Sequence, residues 1–228
     1  MSRRDSYTYS FDMEHGTGSD GTPYYYVPKR SVRFSREEIG HLLLAMVVLM
    51  AAFTIMLGGM QHLASIGSYL LVSATAVLTG FLFHELMHKY VAQKYGAWAE
   101  FRSSRFGLLF ALITSFFGLL FAAPGAVYIS GALNRRENGT VSLAGPMTND
   151  VFSAVFLMLA VAVQGNPFLF DYFAYVSFLD AWLGLFNMIP FPPLDGSKVF
   201  MWNKRAFAAG LIIPAAFIGI LATMHVGL

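Results

Sequence analysis

The sequence predicts an all-α polytopic membrane protein. Five to six transmembrane helices are expected, with a re-entrant or β-hairpin segment between a His-Glu-x-x-His helix and the next span. Three observations point there. Six stretches approach or exceed the ~20 apolar residues that cross a hydrocarbon core, and they occupy most of the chain after residue 38. Charged residues make up 12% of the 228, against about 25% in soluble domains. The motif "HELMH", residues 84–88, follows directly on the apolar run "YLLVSATAVLTGFLF", so metal-competent side chains stand at the end of a span.

Residues 1–38 are polar and are read as a largely disordered cytoplasmic tail with a basic lead-in. Residues 1–28 are rich in Ser, Asp, Gly and Tyr without helical periodicity, a composition that cannot bury enough apolar surface to fold. Their tyrosines are either a docking patch or simply part of that tail. Residues 29–38, "KRSVRFSREE", lead into the bilayer. A polar start of this length does not suit a signal peptide. Residues 39–228 form the membrane-embedded domain. The net charge of +2 is too small to suggest nucleic acid. With no cysteine, disulfides and thiolate metal sites are excluded, and a metal would need histidine and carboxylate.

The apolar runs are 39–60, interrupted only by His41; 64–83, ending at the motif; 106–133; 143–164; 168–189, with Asp180 inside; and 206–227. Charge placement reduces six crossings to five. Lys and Arg collect in cytoplasmic loops. With the basic N-terminal segment inside, Lys89, Lys94, Arg102 and Arg105 also fall inside. If 106–123 crosses, Arg135, Arg136, Lys198, Lys204 and Arg205 fall outside. If 106–133 dips in and returns, every Lys and Arg lies inside, with the N-terminus in and the C-terminus out. Pro124, Gly125 and Gly131 suit such a broken segment, which survives at membrane depth only against protein or a cavity.

His84 and His88 are four apart, which on a helix sets both imidazoles on one face, a turn apart, as ligands for one ion. Zinc suits imidazole and carboxylate donors, and when bound it lowers the pKa of water to about 7. Glu85 stands beside them as a general base that takes a proton during attack and returns it to the leaving amine. A catalytic zinc commonly has three protein ligands. His15 is in the tail, and His41, His62 and His225 fall at span ends away from the motif. Glu100 and Glu137 sit in loops beside arginines; Asp150, Asp171 and Asp180 lie in or near spans. Asp195 follows Pro190, Pro192 and Pro193, which forbid continuous helix, and precedes Gly196. It either reaches the metal or caps a helix starting near Ser197. The five-crossing topology brings it to the motif's side of the membrane; six crossings would not.

"HELMH", "AGPMTN" and "FNMIPFPPLDG" together resemble the site-2 protease family of intramembrane zinc metalloproteases, over residues 40–205. "YGAWAEFR" and "APGAVYISG" look like its archaeal branch. The resemblance implies His84, His88 and Asp195 as zinc ligands and Glu85 as general base. It implies Asn187 as a residue binding substrate or the strained carbonyl, although an asparagine there could instead tie up carbonyls freed by Pro190. Gly145, Pro146 and Asn149 match a packing and gating segment. Two departures stand out. Asp180 occupies a position usually held by asparagine, which leaves a competing ligand role open. The stretch 106–123 is longer than the hairpin many relatives carry after the motif.

The implied reaction is hydrolysis of peptide bonds in or near transmembrane segments of membrane-protein substrates, by an archaeal-type multi-pass protein in contact with lipid, its active site toward the cytoplasm. Two rivals remain. One is another membrane metallopeptidase type, such as the prenyl-protein proteases, whose third ligand is a glutamate; Glu137 would then be the residue to watch. The other is a transporter or scaffold with a closed, structural metal site.

Overall fold

The computed structural model describes residues 14–17, 23–26, 34–58, 65–119 and 123–224. Residues 1–32 and 33–228 form separate compact units. In the first, β1 (Glu14–Thr17) and β2 (Pro23–Tyr26) pair antiparallel, Glu14 opposite Tyr26 and Thr17 opposite Pro23. This hairpin lies within the stretch read from composition as largely disordered. The rest of 1–33 lies outside the described residues, as do His62 and His225.

Among its described residues the second unit holds five helices long and apolar enough to cross a membrane. The first, α1 (Arg36–Met56), starts at Ser35, whose hydroxyl accepts from the Glu38 N–H at 3.0 Å, as N-cap serines do. Leu42, Ala45, Leu49 and Ala52 recur at helical spacing and are buried, while Leu43, Leu44 and Val47 are exposed on the opposite side, where lipid would lie. The second span is continuous from Ile66 to Lys94. It comprises α2 (Ile66–Ala76), a π-helical segment (Val77–Phe83) and α3 (His84–Lys94). The wider turns stand immediately before the motif, and such insertions occur often at functional sites. Gly96, at φ +81°, turns the chain out of α3, a conformation glycine adopts without a Cβ penalty.

The run 106–133 does not form a spanning helix. It divides into α4 (Arg105–Ser115), a turn, and β4 (Gly125–Ser130), which pairs antiparallel with β3 (Trp98–Ser103). Eleven residues of α4 rise about 16 Å, half the ~30 Å core. Ser103 lies opposite Gly125, so the residues flanking 104–124 stand side by side.

The helix α5 (Arg135–Ala162) begins eight residues before the hydropathy boundary at 143, because Asn134 and Glu137 form a capping box. Reciprocal capping satisfies two orphan N–H groups and extends the helix through a polar turn. Glu137 is thereby committed to the Asn134 backbone, 2.9 Å away, and is not gathered with the imidazoles. Next, α6 (Pro167–Asn187) opens on Asn166 as cap. Its Ser177 exchanges hydroxyl-to-carbonyl bonds with Ser153 of α5 at 2.8 and 3.0 Å, a small-residue contact that lets helices approach closely in lipid. A proline-rich loop then leads to α7 (Asp195–Trp202), and α8 (Lys204–Thr223) ends the described chain. Trp202 packs on Gly139, where an added Cβ would lie 2.5 Å from the ring, and the Arg135 guanidinium donates to the Met201 carbonyl. Both contacts fix α7 against α5.

The helix carrying the motif is anchored by an ion pair. Lys89, adjacent to His88, is 1% exposed and donates to Glu38 of α1, also 1% exposed. Glu38 accepts a second bond from the Phe101 N–H of β3 at 3.0 Å, and the Phe34 ring lies 4.2 Å from the ammonium. One carboxylate thus joins α1, α3 and the β3–β4 pair. Removing one partner of a buried pair leaves the other charge uncompensated. Lys89→Met is therefore expected to destabilise the protein by about 3–5 kcal/mol, read as a lower Tm in detergent, and adding Glu38→Leu should restore most of the loss. A Lys89→Met variant as stable as wild type would contradict this account.

Candidate metal centre

His84 and His88 stand on one face of α3 with ring centroids 4.6 Å apart. Each ring is oriented through its Nδ1. That of His84 lies 2.9 Å from Asn149 Oδ1, and that of His88 lies 2.7 Å from the Val141 carbonyl. The Asn149 amide orientation follows from its other contacts: Nδ2 donates to the Gly80 and Asp180 carbonyls at 3.2 and 3.4 Å. Both ring partners are thus acceptors, so both neutral imidazoles carry their proton on Nδ1 and present a bare Nε2. These two lone pairs face each other at 3.0 Å.

Asp195 completes the group. It is the first residue of α7, where Leu194 occupies the cap position and no side chain caps the helix. Its Oδ2 lies 3.0 Å from His88 Nε2 and 3.4 Å from His84 Nε2. The carboxylate is turned to the imidazoles rather than to the N–H groups of its own helix.

The arrangement suits a small divalent cation. Tetrahedral zinc with bonds of about 2.0–2.2 Å requires donors about 3.3 Å apart, and the three observed separations bracket that value. Gly145 of α5 faces the same space: a Cβ there would lie 2.4 and 2.5 Å from the Nε2 atoms of His88 and His84. Only a hydrogen leaves room for an ion between the rings. Glu85, also buried, lines the adjoining cavity of about 90 Å³ together with Asn187, Lys198 and residues 123–127 and 129.

Asn187 lines that cavity and gives one amide N–H to the Leu183 carbonyl at 3.0 Å, one turn back rather than toward Pro190. Asp180 is not part of the donor group. Its Oδ2 accepts from Thr79 at 2.9 Å. His41 is engaged with Ser103 at 2.7 Å, away from the centre. Three participants were not legible as such in the sequence. Asn149 and Gly145, grouped there with packing residues, touch or crowd the imidazoles directly, and Lys198 carried no motif signal.

Comparison with known proteins agrees with this chemistry. A protein of Methanocaldococcus jannaschii named "Putative zinc metalloprotease MJ0611" is 40% identical over 194 residues, 84% of this chain and 96% of that protein. The chain belongs to this site-2 protease-like family of zinc metalloproteases. "Zinc metalloprotease MJ0392" of the same organism is 28% identical over 120 residues, 51% of this chain but only 29% of its own length. "Putative zinc metalloprotease YwhC" of Bacillus subtilis is 30% identical over 156 residues, 59% of this chain and 68% of that protein. Neither a family model nor a solved structure matches the chain. Membership makes zinc the metal to expect, and His84, His88 and Asp195 are donors of the type that zinc takes.

Two substitutions test the cradle. Gly145→Ala should abolish stoichiometric zinc in purified protein, measured by elemental analysis. Asn149→Ala should weaken zinc binding by about 10–100-fold, the usual cost of losing a ligand's supporting hydrogen bond. Full zinc retention in Gly145→Ala would show that the ion does not sit between the rings.

Proposed function

We propose that this protein is an intramembrane zinc metalloprotease that hydrolyses peptide bonds in or near transmembrane segments of membrane-protein substrates. The observation that carries the reading is the meeting of His84, His88 and Asp195 with Glu85 in one cavity within a five-span protein. When bound by those three residues, zinc supplies a Lewis acid and a water of lowered pKa. Glu85 accepts the proton of the attacking water and passes it to the leaving nitrogen, the ordinary division of labour for one positioned carboxylate. Asn187, which lines the cavity, would donate its second amide N–H to the substrate carbonyl. The archaeal-type assignment, an N-terminus and site facing the cytoplasm, and 106–133 dipping into the bilayer belong to the same proposal. The first is supported by "YGAWAEFR" and "APGAVYISG", the others by the one-sided placement of Lys and Arg under five crossings.

The cavity admits several waters but not a helix about 10–12 Å across, so the substrate must enter as opened chain. The strand β4 offers a place for it. One edge pairs with β3, and no other strand pairs with it among the described residues. Gly125, Val127 and Ile129 line the cavity. An extended segment added to that edge would satisfy the backbone groups freed by unwinding.

Glu85→Gln should retain zinc and lose proteolysis. Candidate single-span proteins co-expressed with wild type should yield fragments absent with the variant, whereas loss of zinc in Glu85→Gln would move that residue into the ligand set. Ile129→Pro should lower cleavage at least about tenfold with zinc retained, since proline cannot serve a strand ladder. Unchanged cleavage would exclude strand addition at β4.

A further inference from the structure

The cavity contains one cation that nothing above employs. Lys198 lies one helical turn beyond Asp195 on α7, so both project from the same side of that short helix. Its side chain lines the cavity with Glu85, Asn187 and Asp195. Yet no hydrogen bond, ion pair or ring contact is made by its ammonium among the described residues. The other donors of the cavity are committed at least in part. Both imidazole N–H groups are held by Asn149 and Val141, and one N–H of Asn187 is held by Leu183.

The charge movement of the reaction points the same way. Attack on an amide carbonyl shifts a negative charge from Glu85, which takes the water proton, onto the carbonyl oxygen, in a space too small to surround that oxygen with bulk water. Lys198, which lines that space with its ammonium uncommitted, is available as a donor to it, and fixed donors aimed at developing charge lower barriers most where water is excluded.

We propose that Lys198 is a catalytic residue, whose ammonium donates a hydrogen bond to the scissile carbonyl oxygen as that oxygen becomes negative. As the water oxygen bonds to the carbonyl carbon, the carbonyl π pair moves onto oxygen and the water proton passes to Glu85. Collapse returns that pair, breaks the C–N bond and sends its electrons to nitrogen, which takes the proton from Glu85. Lys198 stays protonated throughout. This inference rests on the peptidase reading above.

The test compares Lys198→Met and Lys198→Arg with wild type in detergent or vesicles, on a substrate helix that the wild type cleaves. Lys198→Met should keep its zinc and lose about 10²–10³-fold in kcat, the usual cost of one such donor, with KM little changed. Lys198→Arg keeps the positive charge and should recover most of the rate, though not its geometry. As a readout independent of turnover, a phosphinic peptide bearing a tetrahedral anion should bind Lys198→Met at least about tenfold more weakly. The ordinary substrate peptide, measured in a Glu85→Gln background, should bind equally with or without Lys198→Met. A raised KM with normal kcat, equal phosphinic-peptide affinity, or loss of zinc from Lys198→Met would each overturn the assignment. If wild type cleaves nothing, the peptidase reading fails instead, while the phosphinic-peptide comparison still judges Lys198.

Discussion

Two imidazole lone pairs facing each other at 3.0 Å form the constraint on which this structure turns. With both protons held on Nδ1, the rings repel unless a cation lies between them. Every neighbouring element opposes their separation. Asn149 and the Val141 carbonyl grip the far sides of the rings, and Gly145 allows α5 to press close. Asp195 is delivered from the far part of the chain by a loop that proline keeps out of helix. It brings a negative charge that attracts the same cation. Ion binding relieves that repulsion, which couples metal affinity to folding.

The remaining buried polar groups serve position rather than reaction. In hydrocarbon each unsatisfied group is costly, so polar contacts between spans define their relative height more sharply than apolar packing does. Ser153 and Ser177 fix α5 to α6 through reciprocal bonds. Glu38 and Lys89 fix α1 to α3 beside the motif, and through Phe101 they fix the strand pair that borders the cavity. The apolar core fills between these pins: Phe53, Phe81 and Leu179 are buried within it, with Phe81 and Phe101 edge to face at 5.4 Å. An error in the height of α3 relative to α5 would misplace both histidine supports at once.

Much of this was written in local sequence, and what was not has a physical reason. His84 and His88 announce themselves because a spacing of four is a statement about one helix. The spans announce themselves because bilayer thickness fixes their length. Asp195 could be singled out because prolines and a glycine mark irregular chain where an uninterrupted helix would be cheaper. The break of 106–133 before β4 was foreshadowed by Pro124. The start of α5 at Arg135 was missed by hydropathy although the capping box "NRRE" was present, since a polar first turn looks like loop to an apolar window. Asn149, Gly145 and Lys198 were obscure for a deeper reason. Their roles are relations between helices, and no spacing along one helix encodes which residue of another it will meet.

Asp180 shows how such relations also confer tolerance. Its carboxylate oxygen Oδ2 accepts from Thr79 of the π-helical segment, while its Oδ1 has no partner among the described residues. The contact that reaches the metal centre is a different one: Asn149, which holds His84, donates to the backbone carbonyl of residue 180 and to that of Gly80. A backbone carbonyl is supplied by any side chain. The bond from Thr79 requires only an acceptor oxygen, and asparagine and aspartate both have one. Aspartate and asparagine at residue 180 would therefore leave the orientation of His84 alike. The difference between them falls on Oδ1, directed at Gly80, where even a methyl group would lie 2.7 Å away. The π-helical segment, α5 and α6 are thus tied to the metal centre mainly through backbone atoms and a single asparagine. The site is set by the paths of the helices, and Asn149 carries that setting to His84 as the Val141 carbonyl does to His88.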